Sequence, residues 1–210
     1  MRRFRYTLIA VCLVLLFLGV SDLILWFNNQ SPQAVTIDTL EQTGAAQEWL
    51  LVTDGYQDLD RAISTSGSLE MEALLVPLLA HPDQEQIRIL VETRDPHLLK
   101  LFQDYHFLTD TIPEKQSFRR EHGDEFNAKK NITGMLVAGI IARGNQQKLL
   151  TLAKQTDLDI ADDVIFLSEG KQPGKWRGIF FTVVALLGLY KVFTGKREVS
   201  SDREGSPLSS

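Results

Sequence analysis

"IRILVETRDPHLLKLFQDY", residues 87–105, holds the most readable transition in the chain. Ile87 to Thr93 opens on alternating apolar and polar residues, the period of a half-buried strand. Asp95-Pro96 then opens a helix. The aspartate is the N-cap, and the proline takes the first helical position, where its missing N–H is no loss. Leu98, Leu99, Leu101, Phe102 and Tyr105 fall on one face of that helix. A strand running into a capped amphipathic helix predicts an α+β chain.

Reading outward from there, the upstream sequence is strand-rich. Asp38 with Glu41 three residues on, ended by Gly44, predicts a short helix with a capping box and a glycine C-cap. "WLLVTD", 49–54, reads as a strand; Gly55 then suggests a bulge that Tyr56 covers, and 56–63 continues beyond it. "STSGS", 64–68, is a turn. "MEALLVPLLA", 71–80, is a strand that Pro77 assigns to an edge or a bulge. "HPDQEQ", 81–86, is a loop.

Downstream, residues 109–130 are polar and charged with no sustained period, and are expected to form a charged insertion loop. "NITGMLVAGIIA", 131–142, reads as one or two strands. Asn145 caps a short helix carrying Leu149, Leu150 and Leu152, and "DVIFLS", 163–168, is the last strand. This order fits two architectures. One is an OB-like five-stranded barrel with inserted helices, one of them between the third and fourth strands. The other is a different small mixed or antiparallel β domain. No internal repeat is present.

Two apolar stretches flank this region. The first, 6–27, has a single charge, Asp22, and at roughly 1.5 Å per residue reaches about 33 Å, enough for a bilayer core. Arg2, Arg3 and Arg5 precede it; Trp26 and Phe27 close it as interfacial aromatics do. A cleaved signal peptide is the competing reading, but 18–21 is a poor cleavage site and the apolar run continues past it. The second stretch, 176–194, has no polar face, since Thr182 is the only polar side chain between Gly178 and Tyr190. The arginines before the first span, with no further Lys or Arg until Arg61, predict the N-terminus inside. Two spans then put both termini in the cytoplasm. The organisation expected is a 1–5 N-tail, a 6–27 span, a 28–175 extracytoplasmic domain with its 109–130 insertion, a 176–194 span and a 195–210 disordered tail. The inner membrane of a bacterium, with a periplasmic domain, is the expected location.

Residues 29–175 carry 23 acidic and 14 basic side chains, a net of −9. Such a domain is repelled by nucleic acid and by anionic lipid. Nucleic acid is therefore not an expected partner. Cys12, the one cysteine, lies within the first span, so neither an internal disulfide nor a cysteine-based zinc site can form in one chain.

"RREHGDEFNAKK", 119–130, is the densest run of candidate ligands. His122, Asp124 and Glu125, with His106 and Asp110, would be the metal reading. The spacing is not the H-E-x-x-H that sets two imidazoles on one helix face. Arg119, Arg120, Lys129 and Lys130 also interleave with the acids, and cations repel a divalent metal. Arg119, Arg120, His122, Asp124 and Glu125 are instead expected to form an interaction surface. His81, His97 and His106 are scattered and read as surface or capping residues. Asp54, Asp58 and Asp60, near Tyr56, are a weaker alternative as an acid–base site. "GKQPGKW", 170–176, lacks the Ser or Thr and the preceding strand of a phosphate loop. Asn131-Ile132-Thr133 is a glycosylation sequon only where the domain faces a eukaryotic lumen.

The layout of two spans around one outside domain resembles that of the Surfeit-type oxidase assembly factors. It also resembles that of the membrane-anchored ubiquitin ligases with a domain beside the membrane. No motif residue carries over from either, and the Cys-rich ring of the second has no counterpart in 195–210. The expected function is a double-anchored envelope protein whose outer domain acts as a structural, assembly or interaction module. Its partners would be the lipid bilayer and another membrane protein or a second copy, with no cofactor and no catalysis of its own. The alternatives are a membrane-bound enzyme with a carboxylate site near Asp54 and Asp58, and a ligand-sensing module.

Overall fold

The computed structural model describes residues 2–64, 72–109, 111–137 and 158–194. The turn over 65–68, Asp110, any strand after 137, the Asn145 helix and the 195–210 tail lie outside them. The chain divides into two compact units, Met1–Gln30 with Pro173–Ser210, and Ser31–Gln172.

The first unit is a pair of helices, α1 (Arg2–Asn28) and α6 (Lys175–Thr194), both long and apolar enough to cross a membrane. They run antiparallel, and small residues set their separation. Gly188 lies against Cys12, Gly19 against Thr182, and Gly178 against Asp22 and Leu23. Cys12 and Ala185 are buried in the seam. Close approach through small side chains is how helices pair where solvent supplies no hydrophobic drive. The Arg177 guanidinium donates from Nε and Nη2 to the two Asp22 oxygens, both at 2.7 Å, tying the end of α1 to the start of α6.

Among the described residues the second unit has seven strands: β1 (Gln33–Thr36), β2 (Trp49–Gln57), β3 (Ile63–Ser64), β4 (Leu74–Leu79), β5 (Ile87–Thr93), β6 (Lys129–Leu136) and β7 (Ile160–Glu169). Five of them close into a barrel in the order β2-β4-β5-β7-β6 and back to β2. All neighbours are antiparallel except β5 and β7, which run parallel. β1 adds in parallel to β2, and β3 adds to β4.

Alternation along the strands divides the apolar residues between two faces. Leu50, Val52, Leu78, Ile89, Val91, Ile132 and Leu167 pack together, with Ile37 and Leu40 of α2 (Ile37–Thr43) against them. Leu59, Leu74 and Val76 meet Leu98, Leu101 and Phe102 of α3 (Pro96–Gln103). Leu75, Leu79, Ile87, Leu90, Val164 and Phe166 form a third cluster. β4 is therefore buried at every position. Each such side chain contributes roughly 1.5–3 kcal/mol when fully buried.

α3 forms as its sequence predicts. Asp95 accepts from the His97 N–H at 2.9 Å, Pro96 opens the helix, and the expected apolar face is the buried one. α2 also forms and ends on Gly44 at φ +71, but its N-cap is Thr36, whose hydroxyl accepts from the Thr39 N–H, rather than Asp38. The bulge in β2 falls between Val52 and Gly55, and the left-handed residue is Asp54 at φ +65. Gly55 is needed for space, since a Cβ there would stand 2.7 Å from the Leu78 side chain. Pro77 is not on an edge strand, because β4 pairs on both sides. Its carbonyl accepts from the Asp58 N–H where β2 gives way to the 58–62 turn. Its missing N–H faces that same side, so the reciprocal bond to the Asp58 carbonyl cannot form, and the β2–β4 pairing ends there.

The largest difference concerns 109–130. After a π-helical turn, Asp104–Leu108, the segment is helical: α4 (Ile112–Glu121) and α5 (Gly123–Phe126). It is not an aperiodic loop. The Thr111 hydroxyl accepts from the Glu114 N–H, and the Glu114 carboxylate accepts from the Thr111 N–H, a complete capping box. Phe126 is fully buried in the cluster formed with α3, and Phe118 packs against it. Two aromatic anchors hold a segment whose other positions are mostly polar. Lys129 and Lys130 already belong to β6.

Candidate functional site

The residues of the charged run come from α4, α5 and the turn between them. His122 Nδ1 lies 2.8 Å from Glu125 Oε1, and His97 Nε2, at the start of α3, lies 3.4 Å from Glu125 Oε2. One carboxylate is thus bracketed by two imidazoles. The His122 ring packs at a tilt of 38° on Phe118, with centroids 4.5 Å apart. The Glu125 carbonyl accepts from Gln57 Nε2, and the Phe126 carbonyl from the Leu59 N–H, so α5 is hydrogen-bonded directly to the barrel wall. The sequence put His97 among scattered histidines; the fold joins it to Glu125 because α3 and α5 pack on the same barrel end. Among the described residues, no three His, Cys, Asp or Glu side chains are placed to hold a metal ion.

Arg119 turns inward. Its guanidinium lies 4.8 Å over the Phe126 ring and pairs with Asp60. That hydrogen bond to Asp60, against the cost of burial, raises the Arg119 pKa further. His106 stacks on Phe102 at 4.2 Å, and burial, with Lys115 nearby, lowers its pKa.

The three aspartates of the alternative acid site are each met by a separate cation. Asp54 sits at the bulge with Lys129 Nζ 2.8 Å away, and the hydrogen bond and charge of Lys129 lower its pKa. Asp58 is buried. It accepts from the Asp60 and Arg61 backbone N–H groups and from Arg61 Nε at 2.6 Å. Arg61 goes on to donate to the carbonyls of Glu85 and Gln84, clamping the 81–86 loop to the 58–62 turn. Asp60 takes Arg119. Two carboxylates can share acid and base roles when their environments push their pKa values apart. Here each is held next to a positive charge instead. Tyr56 packs into the third apolar cluster, with Lys129 5.8 Å over its ring. Asp58 and Arg61 pair at i, i+3, where the sequence predicted a continuing strand over 56–63, and the pairing of Asp60 with Arg119 spans 59 residues.

The space inside the barrel near α3, lined by Gln57, Pro77, Leu78, Leu98 and Ile132 among others, amounts to about 10 Å³. That is room for one water at most. Among the described residues, Leu50, Val52, Leu78, Ile89, Val91, Ile132 and Leu167 pack the barrel interior.

These features define an α+β protein with a closed five-stranded barrel and two helices of membrane-spanning length. No family model matches the chain, and neither does any curated protein or solved structure.

Proposed function

We propose that this chain is a two-pass membrane protein whose barrel is of the OB type and faces away from the cytoplasm, where it acts as a docking or assembly module of a membrane complex. The observation that carries the reading is the apolar surface of the two terminal helices. Tyr6 and Phe17 on α1 are 71% and 72% exposed, and Leu187 and Phe193 on α6 are 63% and 67% exposed. Surfaces of that size and length are stable only against lipid or protein. Support for the OB type comes from the closure order, the parallel β5–β7 pair and the helical segment between the third and fourth barrel strands. The filled interior and the paired aspartates favour binding through the surface over chemistry inside.

Isolation of the full chain in mild detergent, with cross-linking and mass spectrometry, tests the module. A reproducible partner or a defined homo-oligomer is expected, and a monomer with no partner across several detergents overturns it. Reporter fusions test the topology. Phosphatase inserted in the 81–86 loop is expected to be active, and phosphatase fused to either terminus inactive.

A further inference from the structure

Outside α1 and α6, only three large apolar side chains among the described residues are strongly exposed, and all three lie within six positions. Phe107 is 53% exposed, Leu108 73% and Ile112 75%. The π-helical turn carries the first two, and the first turn of α4 carries the third. Behind them a groove is lined by Tyr105, Ile112, Lys115, Gln116, Arg119 and Arg120. Arg119 is committed to Asp60. Lys115, 5.8 Å over the Tyr105 ring, and Arg120 make no ion pair among the described residues. Glu114, next to Lys115, is held in its capping box, while Glu121 adjoins Arg120 and Asp110 falls between Leu108 and Ile112 in sequence.

We propose that this corner is a membrane-contact surface. Phe107, Leu108 and Ile112 enter the headgroup boundary of a phospholipid bilayer, and Lys115 and Arg120 meet its phosphates. The inference rests on the two-pass reading, which makes a bilayer the surface bordering the domain's sequence at both ends. An apolar tip backed by long cationic side chains is the composition of interfacial segments, where Lys and Arg stems lie along apolar surface and their heads reach phosphate. The domain's net acidity does not oppose this. Screening confines charge effects to about 8 Å at physiological salt, so distant acids do not enter, and the contact is set by Lys115 and Arg120 against the neighbouring Asp110 and Glu121. Zwitterionic lipids also present phosphates.

The test uses the full chain in nanodiscs of phosphatidylcholine and phosphatidylglycerol. A nitroxide is placed at Leu108→Cys in a Cys12→Ala background, and its collisions with oxygen and with a nickel chelate are measured. Leu187→Cys on α6 and Asp83→Cys in the 81–86 loop serve as references. The expected result is loss of nickel accessibility at 108 with oxygen accessibility retained, as at 187. A water-like label at 108 with a lipid-like label at 187 overturns this inference alone. A label at 108 shielded from both reagents means that protein covers the corner, and overturns it too. A water-like label at 187 removes the two-pass reading itself. Adding Lys115→Glu and Arg120→Glu is expected to raise nickel accessibility at 108; no change overturns the role of the two cations.

Discussion

At Gly134, β6 comes so close to β7 that a Cβ would overlap the Ser168 carbonyl oxygen and stand 2.9 Å from its carbonyl carbon. Backbone cannot rotate away as a side chain can. Gly134→Ala is therefore expected to cost about 1–3 kcal/mol, the range for overpacking, measured as a shift in the denaturation midpoint of the full chain. Glu92, in strand β5 beside β7, contributes to the acid limb of the pH dependence. Burial pushes its pKa up, but the Ser168 hydroxyl at 2.9 Å, Lys171 and Arg94 outweigh burial and leave it lowered. A carboxylate with a lowered folded-state pKa contributes stability above its unfolded value of 4.5 and loses it as pH falls through the folded value. Glu92→Gln should flatten that acid limb in pH-dependent unfolding and leave its slope near neutrality unchanged. Neither residue stood out in the sequence. A glycine forced by an incoming backbone, or a glutamate tuned by a serine 76 positions away, becomes visible only when strands are paired.

The elements with local signals were legible, and those with long-range causes were not. Asp95-Pro96 states the start of α3 within two residues, and Ile87 to Thr93 announces a strand by its alternation. Thr111 and Glu114 carry the same kind of signal for α4, but the charges of 109–130 masked it, because only Phe118 and Phe126 anchor the segment apolarly. The capping box yields a direct expectation. Thr111→Ala should cost about 1 kcal/mol. Hydrogen exchange should show the loss in α4 amides while β4 and β5 stay protected, since α4 buries no residue fully. Phe126→Ala should behave differently. Its side chain is wholly enclosed by α3 and the barrel end, so truncation should cost roughly 3–5 kcal/mol and loosen α3 as well. In the charged run, the sequence grouped Arg119, Arg120, His122, Asp124 and Glu125 as one surface. It could not show that Arg119 leaves that group to pair with Asp60.

For the whole chain, the strand order allowed a five-stranded barrel as one of two architectures, and the structure closes such a barrel; which strands meet to seal it was not readable. The parallel β5–β7 pair and the β2–β4 pair that seals the ring join segments whose proximity no local pattern encodes. The pairing of the two terminal helices is similarly long-range, and it can be tested by chemistry the chain already offers. A Cβ added at Gly188 would lie 4.0 Å from the Cys12 Cβ, within the 3.5–4.5 Å that a disulfide requires. Gly188→Cys should therefore cross-link to Cys12 under mild oxidation of the full chain. With a protease site engineered into the 81–86 loop, cleavage should leave the two helix-bearing fragments joined until reductant is added, and Cys12→Ala should abolish the link. If the bond forms between chains instead, α1 of one copy packs on α6 of another, and the seam of Gly19, Gly178 and Gly188 belongs to an oligomer. If no bond forms, the register that sets Gly188 against Cys12 is wrong, and the Asp22–Arg177 pair, fixed by the same register, falls with it.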